Sequence, residues 1–228
     1  MENFLKRLKY FGIGFGIGTL FVVFFFKNRG CAWFPENRVK NMIFSKVLVI
    51  SESEKATMDK LHLSKKELIT AINNGDVAFT ESQKRKTTKA YKFDCKTNKG
   101  KAFDCYITLN DNSFVSEILF SPKNAQKATP TKKGMGFIVR FPKNKDLLFV
   151  DTTNVLICKQ KELGFKDANA LFYFVRKKGQ IDFEKSNADA EPRPEFTIHT
   201  PRFEAKGIWV MEKIKIVSIE TAKKTACH

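Results

Sequence analysis

From Tyr10 to Phe26 the chain runs seventeen residues, YFGIGFGIGTLFVVFFF, without a charge. Lys6, Arg7 and Lys9 precede the run and Lys27 and Arg29 follow it. Such a run is at the short end for a helix that crosses a bilayer. The following KNRGCAWF lacks the A-x-A pattern of a signal-peptide cleavage site. Asn28-Arg29-Gly30 before Cys31 is also the wrong approach for a lipoprotein cysteine. The reading is therefore an uncleaved transmembrane anchor, with residues 1–30 as cytoplasmic tail plus helix and residues 10–26 in the lipid bilayer. Gly12, Gly14, Gly16 and Gly18 form two overlapping GxxxG spacings. Small residues four apart let helices approach closely, so a homodimer through this face is one reading. The plainer one is that glycine is common in membrane helices.

Beyond the anchor, one pattern occurs twice. Phe34-Pro35-Glu36-Asn37-Arg38 is echoed by Phe141-Pro142-Lys143-Asn144-Lys145, and Gly75-Asp76-Val77-Ala78-Phe79-Thr80-Glu81-Ser82 by Gly179-Gln180-Ile181-Asp182-Phe183-Glu184-Lys185-Ser186, in the same order. A helical stretch precedes each glycine: LSKKELITAINN, with Ser64 and Glu67 spaced as a capping box, and FKDANALFYFVRKK. Alternating apolar positions follow each block. They predict strands over Tyr91 to Cys95, Phe103 to Leu109 and Phe114 to Phe120, then over Phe196 to Ile198, Ile208 to Val210 and Ile214 to Ile219. Polar SPKNAQKATPTKK reads as a linker. The predicted fold class is α+β: an N-terminal transmembrane helix, then an internal duplication of helix-plus-antiparallel-sheet units at 31–122 and 134–228, joined by a linker at 123–133. Each unit is expected to carry its own sheet.

Within FDCKTNKGKAFDC, Phe93 and Cys95 share one strand face and Asp94 and Lys96 the other. Phe103 and Cys105 likewise oppose Asp104. Registers that set a cysteine against the aspartate face are excluded by the hydrophobic pattern. A three-residue loop Asn98-Lys99-Gly100 pairs Cys95 with Phe103; a loop centred on Gly100 opposes Cys95 and Cys105 directly. The cysteines read as small core residues, with a cross-strand disulfide as the alternative. The aspartates point away, so no metal site is read here.

Composition narrows the functional classes. Five cysteines without a CxxC pair fit neither a disulfide scaffold nor a structural zinc site. His62, His199 and His228 stand in no local catalytic motif, no phosphate loop occurs, and no cofactor is implied. Residues 28–128 hold 18 basic against 11 acidic side chains and residues 129–228 hold 19 against 12, so each half carries +7. Evenly spread charge is first a solvated surface and second a footprint for anionic partners. A short basic tail stays inside and long domains translocate largely regardless of charge. The expected location is therefore a bacterial inner membrane, single-pass, with the C-terminal domain in the periplasm.

Cys31-x3-Pro35-x2-Arg38-Val39 after a membrane helix, then a helix, GDVxFxxS and a tyrosine-containing strand, resembles membrane-anchored bacterial proteins of the domain of unknown function 4258. The likeness covers about residues 1–120. It implies a small α+β unit, similar in layout to RelE-type toxins, and implies no activity. The second half departs from it, with no cysteine before Phe141-Pro142 and Lys145 in place of the arginine. Repeat and resemblance converge on Arg38 and Ser82 as binding positions, with Lys84 and Arg85 beside them in the one dense basic cluster. The structural alternative is that Arg38 braces the first helix and Ser82 ends a strand. The leading function is an uncharacterised, non-catalytic extracytoplasmic module that binds an unknown protein or envelope partner, with nucleic acid unlikely. The alternative is a tethered RelE-like nucleic-acid-binding or ribonuclease domain, with Arg38, Lys84 and Arg85 on a phosphate and His62 moving a proton.

Overall fold

A computed structural model describes residues 2–28, 34–120, 122–142, 163–166, 168–185, 195–210 and 213–221. Cys31, Cys227, His228, Ser186 and the repeat positions Lys143 to Lys145 lie outside them. The chain divides into two compact units, Met1–Val39 and Lys40–His228. The first is dominated by α1 (Glu2–Asn28), one unbroken helix of 27 residues. Phe11, Phe15, Leu20 and Phe21 are all exposed on it. Among the described residues no helix is long and apolar enough to cross a membrane, so the transmembrane reading finds no support here. Four glycines and the flanking charges dilute the hydropathy of α1. The apolar run continues through Phe24, Phe25 and Phe26, whose side chains lie outside the described residues. α2 (Pro35–Phe44) straddles the boundary between the units.

The second unit is built on one ten-stranded mixed sheet. Its strands are β1 (Val47–Ser51), β2 (Asp76–Gln83), β3 (Thr88–Lys96), β4 (Ala102–Asn110), β5 (Val115–Leu119), β6 (Met135–Arg140), β7 (Gln180–Asp182), β8 (Glu195–His199), β9 (Phe203–Val210) and β10 (Lys213–Thr221). Their spatial order is β10-β9-β8-β7-β6-β1-β5-β4-β3-β2. β1 pairs in parallel with β5 and antiparallel with β6; the other neighbours are antiparallel. The helices are α3 (Glu52–Lys60), α4 (Lys65–Asn74) and α5 (Ala168–Lys178).

All five residues of β1 are buried. Val47 and Val49 join a core with Ile138 of β6, Val175 of α5, Ile181 of β7 and Ile198 of β8. By strand alternation Leu48 and Ile50 point to the opposite face, where Ile50 shares a cleft with Met58 of α3. A strand covered on both faces reads as a continuous apolar run, VLVI here, because no position needs to be polar.

The single sheet corrects the expectation of two self-contained units with separate sheets. In the first half β1 is followed by α3, α4 and antiparallel β2 to β5; among the described residues of the second half β6 is followed by α5, the helix before Gly179, and antiparallel β7 to β10. β1 and β6, the leading strand of each half, pair with each other and fuse the meanders. The docking differs between halves: β1 takes the last strand of its meander, β5, whereas β6 takes the first, β7.

The expected linker is packed rather than loose. Ala125 and Ala128 are buried against Ala90, Tyr106 and Leu119. Glu117 of β5, 2% exposed, accepts the Thr131 backbone N–H at 2.7 Å and its hydroxyl at 2.5 Å. Burial raises the Glu117 carboxyl above its ordinary range, against those two hydrogen bonds, and the Glu54 charge adds to the rise.

The folded state therefore holds the Glu117 proton more tightly than the unfolded chain. This contribution to stability is complete below the unfolded carboxyl pKa and is lost as pH rises through the folded one. Denaturant unfolding between pH 4 and pH 8 should show Glu117→Gln gaining relative to the native chain as pH rises. A gain that shrinks with rising pH contradicts this account.

The two repeat glycines give a second expectation. A Cβ on Gly75 would lie 2.8 Å from the Asp94 carbonyl oxygen and 2.9 Å from that of Ala71. One on Gly179 would collide with the Val175 carbonyl oxygen and stand 2.9 Å from Ile138 Cδ1. Gly75→Ala and Gly179→Ala should each lower unfolding stability by about 1–3 kcal/mol, the usual range for overpacking.

Candidate anion-binding cleft

The residues singled out from the sequence do not form one site. Arg38 is exposed on α2, in the part of that helix that belongs to the first compact unit. Ser82 sits where the β2–β3 ladder loses register between Ala78 and Gln83. Its hydroxyl donates to the Ala78 carbonyl at 2.7 Å and accepts the Lys92 backbone N–H at 2.9 Å. Ser82 thus closes a β-bulge within β2, one residue before the strand's end. Lys84 and Arg85 are exposed in the following turn: Lys84 lies 5.8 Å from the Phe79 ring centroid, and the Arg85 N–H donates to Gln83 Oε1 at 2.9 Å. His62 is exposed, with φ at 53°, on the turn after α3. Among the described residues no hydrogen bond or ion pair joins it to Lys84 or Arg85.

The hairpin adopts the first of the two registers. Cys95 pairs with Phe103 and Phe93 with Cys105, and Gly100 closes the turn with φ at 80°. Both cysteines are free and buried. Contact with the Cys95 sulfur, and burial after it, push the Cys105 thiol well above the ordinary range. It is a poor nucleophile. Asp94 and Asp104 face each other across the strands, and Lys92 offsets that repulsion at 3.3 and 3.4 Å while holding Glu81 at 2.8 Å.

A different place has the character of a site. Where the halves join, a cleft of about 480 Å³ opens beside Ile50 of β1 and Phe137 of β6. Four lysines line it: Lys55 from α3, Lys65 from the first turn of α4, and Lys177 and Lys178 from the last turn of α5. Among the described residues no acidic side chain lines it, and none of the four lysines makes an ion pair. Lys55 Nζ rests 4.3 Å from the Phe137 ring centroid, and Lys65 Nζ donates to the Ile138 carbonyl at 2.6 Å. Burial first, and the Lys55 charge second, hold the Lys65 amine below the ordinary lysine range.

Lys177 and Lys178 have a local reason for their place, since cations favour helix C-termini. Lys65 has the opposite situation. It stands at an N-terminus, where the macrodipole disfavours a cation, exposed as a residue but with its amine drawn onto the Ile138 carbonyl beside a second lysine. At the rim, His199 Nδ1 lies 3.1 Å from Glu204 and Nε2 lies 3.9 Å from Asp182. The Thr200 hydroxyl closes the β8–β9 turn on Phe203. No three His, Cys, Asp or Glu side chains gather as a metal-holding group among the described residues.

Sequence reasoning missed this cleft because its lining runs from position 50 to position 201 and no local motif carries it. The doubled lysines Lys65-Lys66 and Lys177-Lys178 were visible, but each reads locally as a helix end. Compared with known proteins, the chain matches no family model, no curated protein and no solved structure.

The structural role of Ser82 is open to direct test. Ser82→Ala removes a donor and an acceptor from two partly buried backbone groups and should cost about 1–3 kcal/mol. Lys84→Ala and Arg85→Ala should stay within about 0.5 kcal/mol of the parent in the same denaturant titration. A neutral Ser82→Ala would remove the bulge-closing role.

Proposed function

We propose that this chain is a membrane-tethered, non-catalytic binding module, and that its ligand is an anion held in the lysine cleft. The observation that carries the reading is four lysines on one cavity without an acidic residue to offset them. At Lys65, burial first and the neighbouring Lys55 charge second disfavour the ammonium form. A bound anion relieves both.

The tether in this reading is α1. Its 27 residues rise about 40 Å, more than the roughly 30 Å hydrocarbon core of a bilayer. Basic residues flank the apolar run at both ends. The short tail stays inside and the sheet domain lies beyond the inner membrane, in the periplasm. The resemblance to the 4258 family, the internal duplication and pairing of α1 helices through Gly12, Gly14, Gly16 and Gly18 belong to the same proposal. The ribonuclease reading is weaker, because among the described residues no hydrogen bond or ion pair joins His62 to Lys84 or Arg85.

Thermal unfolding of the full-length chain in detergent tests the ligand class. Pyrophosphate at a hundred times its dissociation constant stabilises by about 2.7 kcal/mol, or roughly 5–10 °C for a chain this size. Lys55→Ala with Lys178→Ala should abolish the shift, and Lys99→Ala at the exposed hairpin tip should leave it. An equal shift in all three proteins means diffuse charge and removes the cleft reading. Mixed RNA incubated with the protein should stay intact; cleavage would put the ribonuclease reading first. For the tether, Ile17→Arg should weaken retention of the chain in alkali-washed membranes, since a charge at mid-helix costs about 2.5–3.5 kcal/mol on insertion.

A further inference from the structure

Resting on the anion reading of the cleft, the geometry points to one ligand chemistry: a diphosphate group that carries an apolar body. Charge and donor type define the head. A single carboxylate or monoanionic phosphate would leave most of the four positive charges unmatched, whereas a diphosphate brings about three negative charges to them. Among the described residues the lining contains no arginine, whose planar fork matches carboxylate and phosphate alike, so its positive groups are all lysine amines. Lysine ammonium groups are compact point charges, suited to phosphate oxygens approached from several directions. These four come from three helices.

Volume and lining define the body. A cavity of about 480 Å³ lies within the roughly 300–1,000 Å³ range of small-molecule pockets and leaves space beyond a diphosphate. That space is walled by Ile50, Met58, Phe137 and Pro201, with Gln180 as a neutral polar group. Ile50 and Phe137 are cross-strand partners on β1 and β6, so this wall is fixed by the central ladder. A purely inorganic anion would make no use of it. Lys55 already lies on the Phe137 ring. A phosphate that draws Lys55 away uncovers the ring for the body, so head and body are recognised together.

Two sources share this chemistry, a nucleoside diphosphate and a prenyl-type lipid diphosphate. Calorimetry on the full-length protein in detergent, with pyrophosphate, ADP and geranyl diphosphate as probes, separates them. At least one body-bearing probe should bind about tenfold or more tighter than pyrophosphate, because burial of even a small apolar area is worth that factor. Lys55→Ala with Lys178→Ala should weaken every probe that binds. Phe137→Leu should erase the advantage of ADP, which needs a flat ring to stack on, and leave that of geranyl diphosphate, which needs only an apolar wall. If pyrophosphate binds as tightly as both larger probes, the body is not recognised and this inference is overturned, while the anion cleft stands. If no probe binds in a lysine-dependent way, both fall together.

Discussion

The β1–β6 ladder is the contact on which the rest of the second unit depends. β1 has five residues, yet it is the only strand that links the sheet of the first half to that of the second. Its parallel edge holds β5 and its antiparallel edge holds β6. Its N-terminal end is fixed by the Val47 N–H on the Phe114 carbonyl at 2.9 Å and by Lys46, whose buried amine donates to the carbonyls of Asn110 and Ser113. Past its C-terminal end, Glu54 at the start of α3 accepts the Phe120 N–H at 2.8 Å, beyond the end of the neighbouring β5. A buried amine and a buried carboxylate at the two ends of one short strand are costly to desolvate, and both are offset by backbone groups that would otherwise lack partners.

The same ladder creates the cleft. Ile50 and Phe137 are brought together by strand pairing, and Lys55 and Lys65 come with α3 and α4, the helices that follow β1 directly. Lys177 and Lys178 arrive because β7 docks on β6 and carries the end of α5 with it. None of these six residues needs the others for its local structure. Their meeting is a consequence of topology, which sets the Lys55 charge beside the Lys65 amine.

What could be read in the sequence was whatever short-range physics decides. The α4 capping box was legible because Ser64 and Glu67 satisfy each other within four residues, as the structure shows. The Cys95–Phe103 register was one of two that alternation allowed, and Gly100 provides the left-handed turn it needs. β1 and β6 were missed. VLVI and GFIV lack alternation because both faces are covered, so nothing distinguishes them from the interior of a short helix. With those strands unseen, the single sheet could not be inferred. The lysine cleft needed that sheet, and so it too was out of reach. Ser82 drew attention through its repeat position, and in the structure its hydroxyl is engaged by the Ala78 carbonyl and the Lys92 N–H of a β-bulge.

The unequal docking of the two meanders places the two helix ends that precede Gly75 and Gly179 in different surroundings. In the second half, the helix end at Lys177-Lys178-Gly179 leads into β7, beside β6 at the centre of the sheet. The counterpart in the first half, Asn73-Asn74-Gly75, leads into β2, at the far edge of the sheet. There it has neither β1 nor β6 as a neighbour. The glycine is kept in both halves because each has the same need, a backbone that passes against the carbonyl four residues earlier. The side chains before it differ, two lysines in one half and two asparagines in the other. Of these two helix ends, the one beside the central junction carries lysines, which suit both a helix C-terminus and the cleft they border, and the one at the sheet edge carries asparagines.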